Sequence, residues 1–70
     1  MTLTQANINQ SVVLKEINID SPLVNHLRDM GFIRGKEVTI ISKNGLGMIV
    51  SILDGPSLAM AYEITDKVQI

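Results

Sequence analysis

The sequence predicts a mainly β fold, a small and strongly bent barrel of about five short strands with one inserted helix. Three observations carry this. Branched aliphatic residues come in short runs, turn signals rich in glycine separate the runs, and a single stretch has helical periodicity. A flat sheet of so few strands would leave one face uncovered and two edges open, which curling into a barrel avoids.

Each element follows from local chemistry. Val12 to Ile17 reads as the first strand, and because Val12, Val13 and Leu14 are consecutive, spacing does not say which face turns inward. Ser21 is a good N-cap and Pro22 suits the first helical position, where its missing N–H costs nothing. Leu23, Val24, Leu27 and Met30 then recur as one narrow apolar stripe, with Asn25, Arg28 and Asp29 opposite. A helix of roughly ten residues does not hold alone, so the stripe must cover an adjoining sheet. Gly31 is placed for the left-handed position just past the helix, with Leu27 and Phe32 as the hydrophobic pair of a Schellman end. Gly35 turns the chain again, and Val38 to Ile41 is β-branched throughout and reads as a strand.

The remainder is strand and turn. Lys43-Asn44-Gly45-Leu46-Gly47 carries a hairpin signal, Met48 to Leu53 resumes a β run, and Asp54-Gly55-Pro56 breaks it. Leu58 to Ala61 is a further short run, Tyr62 to Asp66 a single helical turn or a loop, and Lys67 to Ile70 a last strand. Gly31, Gly35, Gly45 and Gly55 are read as structural turn residues.

Composition bounds the function. Seventy residues make one domain, of a size at which a core rarely supplies more than about 3–5 kcal/mol. Hydrophobic residues are 46% of the chain, yet Phe32 and Tyr62 are its only aromatics, so the core is aliphatic. Without cysteine there is neither a disulfide framework nor a thiolate zinc site. No apolar run approaches the roughly 18 residues of a membrane span, and the first residues lack a signal-peptide pattern, so a cytoplasmic location is expected. Six Lys and Arg against seven Asp and Glu are dispersed along the chain, leaving a net charge of −1. That argues against nucleic-acid binding, which asks for a basic face and, for single strands, stacking aromatics.

Catalytic and metal constellations are thin. His26, the single histidine, lies three residues before Asp29, so the two are weak candidates for a metal pair on one side of the helix. Two ligands do not close a site, and His26 is expected instead to bury its ring edge at the margin of the apolar stripe. No motif presents a serine to it. Gly31 to Glu37 resembles a phosphate loop only superficially: its glycine spacing is one short, Glu37 replaces the magnesium-binding hydroxyl, and it leads into a strand rather than a helix. No cofactor is expected.

The order Leu27-x-x-Met30-Gly31-Phe32-x-x-Gly35-x-x-Val38, then Leu46-Gly47-x-Ile49, Gly55-x-x-Leu58-Ala59-Met60 and Val68-x-Ile70 resembles the FeoA family, small proteins associated with bacterial ferrous iron uptake. Arg34 and Met48 stand where that family often has proline, a departure that bears on loop stiffness. The resemblance implies an SH3-like barrel acting as an accessory to FeoB, the membrane transporter with a cytoplasmic GTP-binding domain. It extends to the C-terminal module of diphtheria-toxin-repressor-type regulators, without their DNA-binding domain.

The expected function is therefore a non-enzymatic interaction module that binds the cytoplasmic part of the transporter. A direct Fe(II) sensor or carrier is the main rival, and a nucleic-acid-binding barrel the third reading. Leu46 and Met48 flank Gly47 at the hairpin tip, where side chains normally face water, and this marks either a contact surface for FeoB or a second copy, or a loop folded over the barrel end. Arg34 and Lys36, with Lys43, form either a small basic corner for a partner or an ordinary solvated turn.

Overall fold

In a computed structural model describing Met1–Ile70, a 3-10 turn at Leu3–Gln5 is followed by β1 (Ser11–Val13), β2 (Glu16–Ile17) and α1 (Leu23–Asp29). Then come β3 (Glu37–Lys43), β4 (Gly47–Ile52), β5 (Ser57–Ala61), α2 (Tyr62–Thr65) and β6 (Val68–Gln69). The fold is mainly β, as expected, with six strands in place of five. They form two antiparallel sheets, ordered β1-β3-β4-β5 and β2-β6, that do not close into one continuous barrel.

The extra strand arises at Leu14 and Lys15. The segment expected as one strand over residues 12–17 changes partner there: Leu14 N–H donates to Lys36 O and Leu14 O accepts from Gly35 N–H, whereas Lys15 N–H donates to Gln69 O. Leu14 is buried at this corner, so one extended segment serves both sheets.

Strand alternation builds the core. Val38 and Ile40 of β3, Met48, Val50 and Ile52 of β4, and Met60 of β5 point inward and meet Leu14, Leu27, Phe32 and Val68. Ile40 pairs with Val50 but Ser42 pairs with Ile49, so Ile41 is the extra residue of a β-bulge; following inward Ile40, its apolar side chain is left exposed.

Helix α1 spans seven residues, shorter than anticipated. Ser21 Oγ accepts from Leu23 N–H at 3.3 Å, which satisfies one donor at the helix start. At the other end Phe32 N–H donates to Leu27 O at 2.9 Å and Gly31 N–H to Arg28 O at 3.0 Å, the paired bonds of a Schellman motif, with Gly31 at φ 95°. Leu27 is buried, whereas Leu23 is 40% exposed, so the apolar stripe is narrower than its spacing suggested.

The N-terminal 3-10 turn was not foreseen. Leu3 and Ala6 are fully buried there, and Thr2 bridges to Gln69. The Lys43 ammonium donates to the carbonyls of Thr4 (2.7 Å) and Ala6 (3.0 Å), while Thr4 Oγ1 bonds Thr65 Oγ1 and donates to Asp66 Oδ1. These bonds tie the N-terminal segment to the end of β3 and to α2.

Candidate functional site: two apolar grooves

The hairpin tip is held rigidly. Asn44 N–H donates to Gly47 O, leaving Gly45-Leu46 as the connection, and Asn44 Oδ1 accepts from Leu46 N–H (2.7 Å) and Gly47 N–H (3.0 Å). Tyr62 secures the tip from below, its hydroxyl donating to Asn44 O at 2.5 Å and its N–H to Leu46 O at 3.2 Å. Leu46 is 85% exposed on this frame, the most exposed large hydrophobic residue of the chain.

Met48 does not share that surface. It is 2% exposed, because the ladder resumes at Gly47 and the next position of the strand already faces the core, opposite Met60. The expectation of paired apolar residues at the tip is corrected to Leu46 alone. Gly47 is itself buried: a Cβ there would strike the Met60 carbonyl oxygen and lie 3.0 Å from Ala61 Cα, so glycine lets β4 and β5 approach. Beside the tip lies a groove of about 290 Å³ lined by Asn44, Leu46, Gly47, Met48, Ile49, Ala59, Met60 and Ala61. No charged side chain lines it. Ile49, Ala59 and Ala61 escaped the sequence reading, although period-two alternation from Gly47 and Ser57 puts them outward.

A second groove, of about 410 Å³, runs between β2, α1 and the turn after the helix. Ile17, Val24, Phe32 and Ile33 give it an apolar lining, and Arg28, Arg34 and Glu16 add charge. The basic corner expected from Arg34, Lys36 and Lys43 is thus reassembled. Lys43 is committed to the Thr4 and Ala6 carbonyls, Lys36 lines neither groove, and Arg28 joins Arg34 in lining the second one.

His26 is exposed, not seated at the edge of the core, and Asp29 is exposed as well. A seven-residue helix rests on the sheets chiefly through Leu27, leaving the flank that carries His26 in water. No group of three or more His, Cys, Asp or Glu side chains is arranged to hold a metal ion.

The chain matches the FeoA domain family along residues 1–70. It belongs to the FeoA family. It also superposes on the solution structure of iron(II) transport protein A from Clostridium thermocellum with a TM-score of 0.86 and 20% identity, covering 99% of this chain and 43% of that one. The chain therefore spans under half the length of that protein, and the likeness shows a shared fold. No curated protein matches it in sequence. No helix is long and apolar enough to cross a membrane.

Proposed function

We propose that this FeoA-family chain is a non-enzymatic cytoplasmic accessory of ferrous iron uptake that docks on the cytoplasmic part of an FeoB-type transporter. The observation that carries the reading is Leu46, an aliphatic side chain 85% exposed on a hydrogen-bonded tip beside an uncharged groove. An anchor of this kind binds by burying apolar area at little ordering cost, since its backbone is already fixed. Binding of the transporter's soluble domain, with GDP or a GTP analogue, is the direct test. Leu46→Ser should weaken it at least about tenfold with the fold unchanged, as expected for a central hot-spot residue. Unaltered binding would move the contact to the groove of Arg28 and Arg34. The rival Fe(II)-carrier reading predicts stoichiometric Fe(II) binding in anaerobic calorimetry that is lost in His26→Ala. The accessory reading predicts no binding in the micromolar range.

A further inference from the structure

The free edge of β5 is open and unguarded. β5 is the outermost strand of the four-stranded sheet and pairs only with β4. The bonds Ile52 N–H to Pro56 O and Tyr62 N–H to Leu46 O set the phase of that ladder, so Leu58 and Met60 bond to β4 while Ser57, Ala59 and Ala61 direct their N–H and C=O groups away from it. Apart from Ala61 C=O, which as the N-cap carbonyl of α2 accepts the first helical N–H, no turn or loop backbone and no side chain supplies these groups with a partner. Ser57-Leu58-Ala59-Met60-Ala61 contains no charge, no proline and no bulge, the devices by which edge strands are kept from pairing. The other edge of the sheet is different. β1 is three residues long and runs at Lys15 into the pairing with β6.

We propose that β5 pairs antiparallel with β5 of a second copy of this chain, about a twofold axis at Ala59, joining the two sheets into one. An isologous contact requires a patch that satisfies itself, and this edge does. With Ala59 opposite the second copy's Ala59, Ser57 falls opposite the second copy's Ala61, and every outward N–H meets an outward C=O, that of Ala61 being shared through its second lone pair with the first turn of α2. The opposed side chains on the exposed face are only serine and alanine, so no like-charged pair opposes the strands at the usual spacing of about 4.8 Å. On the inner face, half-buried Leu58 lies opposite the second copy's Met60 and adds apolar burial. Asp54 and Glu63 lie beyond the two ends of the strand, and antiparallel pairing brings each toward the other's counterpart. Association therefore tightens as salt rises from low to physiological levels, where this repulsion is screened.

Analytical ultracentrifugation of the whole chain over a wide concentration range, at low and physiological salt, tests this. A monomer–dimer equilibrium that strengthens with salt is expected. Ala59→Lys places two ammonium groups face to face on the axis, and Ala59→Pro removes an outward N–H without touching the β4 ladder. Each should weaken dimerisation at least about tenfold while circular dichroism stays unchanged. Val13→Lys, on the opposite edge, should leave it intact. Should either Ala59 variant fail to fold, hydrogen exchange on the unmodified chain decides, because the Ala59 and Ala61 amides must become protected as concentration increases. A monomer at every concentration, a dimer that survives Ala59→Lys, loss of the dimer in Val13→Lys, or unprotected Ala59 and Ala61 amides in a dimeric sample would each overturn the proposal.

Discussion

The turn that ends α1 and the tip of the β3–β4 hairpin both depend on a glycine, for different physical reasons. Gly31 has φ 95°, and a Cβ there would sit at an ordinary 3.6 Å from Ile52 Cγ2, so what the site demands is a conformation. Gly47 has no positive φ, but a Cβ would collide with the Met60 carbonyl, so what it demands is room. The first demand is set by residues adjacent in sequence. The second is set by a strand that only folding brings alongside.

The largest effect that bears on this contrast lies just beyond the hairpin tip. Met48→Ala should cost about 2–5 kcal/mol as a buried truncation, whereas Leu46→Ser should change stability by no more than about 0.5 kcal/mol. Urea midpoints at constant m would show it, and equal costs would mean that the tip does not split into an inward and an outward residue. Replacing both residues together would mix a folding defect with any binding defect, so the substitutions must be made singly.

Lys43→Met comes next. It removes the ammonium that serves the Thr4 and Ala6 carbonyls and should cost about 1–3 kcal/mol, with the N-terminal amides losing hydrogen-exchange protection first. A uniform loss of protection across the chain would show that Lys43 does not act on that segment in particular.

The glycines themselves sharpen the comparison most. Gly47→Ala should destabilise by about 1–3 kcal/mol through the forced separation of β4 and β5, and Gly31→Ala by about 1 kcal/mol through backbone strain. Asparagine should then separate the two causes. It tolerates the left-handed region and should recover part of the loss at position 31, while at position 47 it is bulkier than alanine and should be worse. Gly45, with negative φ and open space around its Cα, is the control: alanine there should shift the melting temperature little in either direction. If asparagine fails to help at position 31, strain at φ is not what Gly31 relieves.

What the sequence determined by itself was whatever depends on neighbours a few residues apart. The Ser21-Pro22 start, the Gly31 Schellman end with its Leu27–Phe32 contact, the turn at Gly35, the hairpin at Asn44-Gly45 and the mainly β character were all legible because caps, turns and β-branched runs are short-range effects. That Leu46 stands out in water rather than folding over the sheets was not, because both readings fit the same hairpin sequence. Tertiary structure alone decided the partner change at Leu14–Lys15, the bulge between Ile40 and Ser42 and the burial of Leu3 and Ala6 under an N-terminal turn. It also decided that Met48 faces the core, that Lys43 clamps the N-terminal segment, and that Arg28 rather than Lys36 lines the groove with Arg34. In each of these cases the deciding atoms belong to a strand or turn distant in the chain. A strand's face and a side chain's neighbours follow from register, and register exists only once the sheets have formed.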